Sequence, residues 1–282
     1  MCIMNITDSE LSQIIQTIRS VSVYDFTEYS EKSLKRRFTK ILMDYRFTMD
    51  VLLNQLKTQK KFVEEIVRKV TVNTTEMFRD PPIWIALRGD ILPKLAQKPV
   101  IRIWHCGCST GQEVYSMIIL LSEMGLLDKA ELYCTDLNTD AIDVAKKGVY
   151  KYRFNLGYFD NFDKVIRSDV NNPLIVRDVP YQKYFIIDDF NDKLMIQKPL
   201  LEKPIFAKHD MVKDGNIFNV NFDLILCRNV IIYFNYGLQN KIFQLFHSSL
   251  NNDGYLVLGF HESILGPFST KFEKRGYYYV LK

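Results

Sequence analysis

Residues 100–117 read VIRIWHCGCSTGQEVYSM. A β-branched and aromatic run ends at His105 and gives way to a turn holding Gly107 and Gly111. Val114, Tyr115 and Met117 then recur at helical spacing. A strand, a glycine-bearing turn and a helix in that order predict the opening of an α/β sheet. Downstream, AELYCTD (130–136), PIFAKHD (204–210), NFDLILCRN (221–229) and GYLVLGF (254–260) are short apolar runs ending in Gly, Asp or Asn. Helical patterns over 112–124, 139–147 and 236–250 separate several of them, so the alternation predicts a doubly wound, mostly parallel sheet. Residues 271–282 close the chain with GYYYVLK, read as one final strand that pairs antiparallel beside GYLVLGF at the sheet edge.

Between residues 148 and 204 the alternation is interrupted by PLIVRDV, KYFIIDDF and KLMIQKP, punctuated by Asn171, Asn172, Pro173, Asp189, Asn191 and Asp192. These predict a small antiparallel insertion of two or three strands over about 150–203. Upstream, Leu11, Ile14, Ile15 and Ile18, then Val51, Leu52 and Leu56, then Phe62, Val63, Ile66 and Val67 keep helical spacing, with Thr7 or Asp8 as the first N-cap signal. The expected organisation is an all-helical N-terminal domain with its linker over 1–92, followed by an α/β domain over 93–282.

The 282 residues are 47% hydrophobic with only 12 Gly and 9 Pro, which excludes low-complexity and collagen-like chains and provides for a sizeable core. MCIMNITDSE has neither a basic flank nor an apolar core, and no segment reaches the roughly 18 uncharged residues of a membrane span, so a cytoplasmic protein is expected. Cys2, Cys106, Cys108, Cys134 and Cys227 form no CxxC pair and lack clustered His partners, so reduced thiols and no metal site are expected. Charge is concentrated over residues 32–61, where nine Lys or Arg stand against Asp44 and Asp50. Leu34, Phe38, Ile41, Leu42 and Tyr45 give that stretch an apolar helical face, and Lys35, Arg36, Arg37 and Lys40 are assigned to the opposite, exposed face. Such a face is either merely solvated or complements an acidic protein partner; no nucleic-acid-binding motif accompanies it.

The turn's chemistry narrows the ligand. Its spacing, Gly107-x-x-x-Gly111 with no following Lys, is neither the dinucleotide fingerprint nor a phosphate-cradling loop, which disfavours NAD and ATP. An ordinary tight turn is the plain alternative. Asp136 ends the second strand, where an acidic side chain hydrogen-bonds ribose hydroxyls; its alternative is helix capping together with Asn138.

TVNTTEMFRDP (71–81), IWHCGCSTGQEVYSM (103–117), CTDLN (134–138), FDLILCRNVIIYF (222–234) and GYLVLGFHES (254–263), in that order, resemble the CheR family, the S-adenosylmethionine-dependent glutamate O-methyltransferases of chemoreceptors. The resemblance covers almost the whole chain. It implies a class I, Rossmann-like methyltransferase sheet with a small antiparallel β insertion and an N-terminal all-α domain.

Carried over residue by residue, it implies cofactor contacts from Asn73, Thr75, Arg79, Gly107, Glu113, Asp136, Arg228 and Asn229. Asp210 and Met211 stand where the family usually has Asn-Leu beside the adenine, and Asp210 lacks the amide donor. Arg79 and Tyr233 are the implied catalytic pair: Arg79 to orient a carboxylate, Tyr233 to align the methyl or the attacking oxygen. Their plain readings are a surface pair with Asp80 and a packed strand-end aromatic. Lys35, Arg36, Arg37 and Lys40 would meet the glutamate-rich cytoplasmic methylation region of a receptor. In some members the β insertion binds a peptide at the receptor's C terminus by strand addition. The insertion here lacks the Gly-rich loop of those members, which favours recognition without the tether. His261 is assigned no role. Two rivals remain: a methyltransferase of another substrate, and a catalytically idle, receptor-binding scaffold.

Overall fold

The computed structural model describes residues 6–71, 75–168 and 176–282. They form two compact units, one of residues 6–71 with Val230–Lys241, the other of the described residues of 75–229 with Ile242–Lys282.

The first unit is helical: α1 (Asp8–Val21), α2 (Glu31–Tyr45), α3 (Met49–Thr58) and α4 (Lys60–Val70). Helix α1 starts where Thr7 and Glu10 form a capping box, each side chain taking the other residue's backbone N–H. Each helix buries a stripe: Leu11, Ile14 and Ile18 from α1; Leu34, Phe38 and Ile41 from α2; Leu52 and Leu56 from α3; Phe62, Val63, Ile66 and Val67 from α4. Removing such a side chain from a packed core costs about 2–5 kcal/mol. Segment Val230–Lys241 is sewn to this unit by backbone bonds. Ser30 N–H donates to the Tyr233 carbonyl (2.8 Å), Asn235 N–H donates to the Glu28 carbonyl (2.9 Å), and Tyr29 and Phe234 form an antiparallel bridge.

The second unit begins with α5 (Pro81–Ala86), a π-helical turn (Leu87–Ile91) and α6 (Leu92–Leu95). Its strands and helices then run β1 (Ile101–Cys106), α7 (Gln112–Glu123), β2 (Ala130–Asp136), α8 (Thr139–Lys147), β3 (Val149–Lys151), α9 (Gly157–Phe162), β4 (Phe185–Asp188), β5 (Lys193–Ile196), α10 (Lys198–Leu201), β6 (Pro204–Lys208) and β7 (Phe222–Cys227). They finish with α11 (Tyr236–Ser249), whose first residues belong to the helical unit, β8 (Leu250–Leu258), β9 (Phe272–Arg275) and β10 (Tyr278–Leu281).

The main sheet has the order β6-β2-β1-β7-β8-β10-β9; β6 through β8 are parallel, and β10 and β9 antiparallel. This is the expected class I α/β sheet. Order reverses between β1's two neighbours, the switch point at which such sheets bind ligands beyond their carboxyl ends. The chain division falls near residue 72, upstream of the sequence expectation at 92/93. Met77, Phe78, Ile83, Trp84, Leu87 and Leu92 enter the sheet's own hydrophobic core, so that helical stretch packs with the strands.

Three local expectations differ from the structure. The closing strand is a hairpin: Gly276 (φ 60°) and Tyr277 turn the chain, so β10 lies beside β8 and β9 takes the edge. The small antiparallel sheet has the order β3-β5-β4. Its first strand is Val149–Lys151 directly after Gly148 (φ 59°), whereas the described part of PLIVRDV contributes only a bridge from Val176 to Ser168. KYFIIDDF and KLMIQKP supply the other two strands. Finally, Arg37 does not share the exposed basic face of α2. It is 8% exposed, because it lies three residues after Leu34 and four before Ile41, on the buried stripe.

Candidate functional site

The turn after β1 is bound to the end of β2. Gly107 and Cys108 N–H both donate to the Thr135 carbonyl at 2.8 Å, Ser109 N–H donates to Asp136 Oδ2 at 2.8 Å, and Gly111 N–H donates to the Cys108 carbonyl at 3.0 Å. Gly111 is confined to glycine twice over. Its φ is 91°, and a Cβ there would lie 2.8 Å from the Ala145 Cβ of α8. Since those four N–H groups are already used inside the protein, the turn does not make the open nest that cradles phosphates. What it presents instead is a carboxylate. Asp136 also accepts Asn138 N–H on Oδ1 (2.8 Å), and the carboxylate keeps acceptor capacity for another donor. Burial pushes the Asp136 carboxyl up, and the backbone N–H groups of Asn138, Ser109 and Leu137 only partly offset this. Capping of α8 falls to Asn138 itself, whose Oδ1 accepts from Asp140 (3.0 Å) and Ala141 (3.3 Å) N–H.

Beside this turn lies a buried charge cluster. Glu113, in the first turn of α7, reaches back to His105 Nδ1 on β1 (2.9 Å) and across to Arg228 Nη1 (3.1 Å), just beyond β7. Arg228 Nη2 donates to Asp80 Oδ2 (2.9 Å) and to the Arg79 carbonyl (2.7 Å), and the guanidinium lies 5.8 Å from the Trp84 ring centroid. Burial pushes the Glu113 carboxyl up, but the His105 hydrogen bond and the Arg228 charge outweigh it, holding the group below the usual glutamate range. Among the described residues, two buried nitrogens here, His105 Nε2 and Arg228 Nε, have no hydrogen-bond partner. One guanidinium faces two carboxylates, so apart from His105 the cluster carries an excess negative charge, suited to a cationic ligand group.

Backbone strain gathers at the same place. Among the described residues, Phe78 (φ 50°), Asp80 (φ 58°), Ser109 (φ 50°) and Asn229 (φ 59°) are four of eight non-glycine residues with positive φ. For a bulky residue such as Phe78 that conformation is an outlier, and such strain concentrates at functional sites. Phe78 is held by its N–H to Ser116 Oγ (2.8 Å), and Trp84 Nε1 donates to the Arg79 carbonyl (2.9 Å), so the backbone on both sides of Arg79 is fixed. Asn229 is held by Glu262, a buried carboxylate whose Oε2 accepts both Asn229 N–H and Gly259 N–H at 2.7 Å. At Gly259 a Cβ would come within 2.8 Å of Glu262 Oε2 and 3.0 Å of Asn229 N.

Of the residues singled out from sequence, Thr75, Arg79, Gly107, Glu113, Asp136, Asp210, Met211, Arg228 and Asn229 belong to the sheet unit. Asn73 lies outside the described residues. Thr75 lends its carbonyl to the Tyr158 hydroxyl (3.4 Å), which in turn accepts from Gln112 Nε2 (3.3 Å). Asp210 turns its own loop, with Oδ1 accepting Val212 N–H at 3.1 Å, and Met211 Sδ lies 4.0 Å from Cys106 Sγ. Tyr233 belongs to the helical unit, where the Arg37 guanidinium stacks on its ring at 4.3 Å. Arg36 and Lys40 are exposed, while Lys35 is half-buried and paired with Asp8.

His105 and Glu262 were not singled out from sequence. The signal for His105 was a polar residue inside an apolar strand, eight residues before Glu113; for Glu262 it was the acid following the last parallel strand. Cys106, Cys108, Cys134 and Cys227 are free thiols, and the described residues contain no cluster that could hold a metal.

Comparison with known proteins gives a consistent result. The family model described as "CheR methyltransferase, SAM binding domain" matches residues 73–155 and 174–279. The Pseudomonas putida protein Cher3, named as a methyltransferase, is 35% identical over 95% of this chain and 93% of its own. The chemotaxis protein methyltransferase of Borreliella burgdorferi is 29% identical over 93% of this chain and 90% of its own, and that of Listeria innocua 26% identical over 86% of each.

Proposed function

The chain belongs to the CheR methyltransferase family, and from that premise we propose that it transfers the methyl group of S-adenosylmethionine to glutamate side chains in the cytoplasmic methylation region of chemoreceptors. Methyltransferase activity and the cofactor follow from the family. The glutamate substrate, the receptor partner, the cytoplasmic setting and the roles of individual residues are the proposal.

The residues present fit the cofactor. A nucleoside without phosphates suits a turn whose N–H groups are already committed, and the spare acceptor capacity of Asp136 suits ribose hydroxyls. The excess negative charge around Glu113, Arg228 and Asp80 suits a ligand bearing an ammonium and a sulfonium. Thr75, Arg79, Gly107, Glu113, Asp136, Asp210, Met211, Arg228 and Asn229, with Asn73, would hold it. When bound, the cofactor supplies an electrophilic methyl on sulfur.

A glutamate carboxylate is already ionised near pH 7, so the protein need not supply a strong base. Its residues contribute position and a dry environment. Fixing reactants in attack geometry is worth roughly 7–11 kcal/mol of barrier. Arg79, between two strained and hydrogen-bonded neighbours, would orient a carboxylate, and the Tyr233 hydroxyl would align the attacking oxygen. Exposed Arg36 and Lys40, with Lys35, would steer an acidic receptor surface and raise the association rate.

The observation that carries the reading is the carboxylate-tipped, phosphate-incompatible turn beside a net-negative buried cluster. The test has two stages. Calorimetry should give S-adenosylhomocysteine binding in the micromolar range, about −8 kcal/mol. Tritiated methyl from the cofactor should then appear as base-labile ester on a chemoreceptor cytoplasmic fragment. Binding without base-labile methyl transfer would overturn the glutamate assignment, and a folded chain that binds nothing would leave the scaffold reading.

A further inference from the structure

We propose that Arg37 is a positioning residue: it holds the ring of Tyr233 by a buried cation–π stack, so that the helical unit supplies the setting of the catalytic tyrosine as well as a charged face. The inference rests on the methyl-transfer reading of Tyr233.

Four observations, all within the helical unit, carry it. The Arg37 guanidinium sits 4.3 Å from the Tyr233 ring centroid. It is buried, at 8% exposure, unlike its neighbour Arg36 and unlike Lys40 one turn on. Its Nη1 donates to the Val70 carbonyl at the end of α4, which ties the planar group to a second helix. Among the described residues Nε and Nη2 have no hydrogen-bond partner apart from what the stacked Tyr233 offers, and a buried charge with so few bonds is costly to keep. The segment under the ring is immobilised as well. The Tyr233 carbonyl accepts Ser30 N–H, Phe234 bridges Tyr29 with rings 5.0 Å apart, and Lys241 pairs with Glu28 at 2.6 Å. With its backbone pinned on both sides, the remaining freedom of Tyr233 is rotation of its side chain, and a flat cation lying on the ring face removes it.

Lysine is a poor substitute for this purpose, since it keeps the charge and the stem but loses the plane. In the full-length protein Arg37→Lys should lower kcat for methylation of a chemoreceptor cytoplasmic fragment by ten- to hundredfold, the scale of a small misplacement of a reacting group. KM for that fragment and affinity for S-adenosylhomocysteine should stay within twofold. On a Tyr233→Leu background, where no ring remains to be held, Arg37→Lys should add less than twofold. A readout independent of turnover comes from ring-labelled tyrosine NMR, with the Tyr233 signal assigned by its loss in Tyr233→Phe. That signal should move in Arg37→Lys.

A raised KM with unchanged kcat would make Arg37 one more steering cation and overturn the proposal. So would an equal loss on the Tyr233→Leu background, or an unmoved ring signal. Failure of the underlying reading is separable, because it shows in the wild-type protein as absent methyl transfer, whereas failure here shows only in the variants.

Discussion

Asp136→Asn separates the proposed binding role of this carboxylate from its structural one. Each oxygen accepts one backbone N–H at 2.8 Å, from Ser109 and from Asn138. Asparagine keeps one acceptor and turns a donor toward the other N–H, losing a charge-assisted bond worth about 1.5–3 kcal/mol. Relief of desolvation offsets part of that, since burial already pushes the carboxyl up. The expected loss of stability is therefore about 1–2 kcal/mol, read by urea denaturation. If its remaining acceptor capacity also takes ribose hydroxyls, loss of the charged acceptor costs a further 1.5–3 kcal/mol of binding, or about 10- to 150-fold in S-adenosylhomocysteine affinity.

Asn138→Ala is the control. It removes the cap of α8, with its 3.0 and 3.3 Å bonds, for about 0.5–2 kcal/mol, and leaves the carboxylate in place. Its affinity by calorimetry should stay within twofold. Wild-type affinity should also fall on acidification at a pH above the ordinary aspartate range, because the folded carboxyl takes its proton early, and Asp136→Asn should lack that dependence. A folded Asp136→Asn protein that binds as tightly as wild type, or an Asn138→Ala protein that binds as weakly, would refute the reasoning.

Glu113→Gln probes the buried cluster by pH. Its carboxyl is held below the usual range in the folded state, so its contribution is full above an unfolded value of about 4.3 and is lost as pH falls through the lower folded value. The stability gap to wild type should be flat from about pH 6 to 8 and shrink below about pH 4; a gap that widens on acidification contradicts the ion-pair account. Gly259→Ala should cost about 1–3 kcal/mol in denaturant unfolding, because its Cβ meets Glu262 and Asn229 at 3.0 Å or less; an unmoved midpoint would show that this corner can relax. Reversing Arg36 and Lys40 to Glu should slow association with a receptor fragment, most at low ionic strength, while cofactor affinity is untouched; a salt-independent rate would remove steering from the account.

Much of this was legible because it is local. The alternation from residue 100 onward gave the parallel sheet, since apolar runs of strand length separated by amphipathic helices have few ways to bury themselves. Gly111 was readable as a constrained turn, and Thr139–Lys147 as a helix with Asn138 at its cap. Glu113 and Asp136 could be named from the turn and the strand end together with the family resemblance.

Tertiary structure decided what those residues touch. That the turn's N–H groups are consumed by Thr135 and Asp136 depends on the parallel register of β1 with β2, which pairs Cys106 with Thr135 and is set by contacts distant in sequence. Arg37 reads as one cation among nine; its spacing from Leu34 and Ile41 already puts it on the buried stripe, but only the fold sets it against the ring of Tyr233, almost two hundred residues away. Glu262 acquires its Asn229 partner in the same way, through β7 and β8 brought side by side. Periodicity fixes which face of an element is apolar, because that is a property of one element. Which polar atom satisfies which partner is a property of two, and it exists only once the chain has closed on itself.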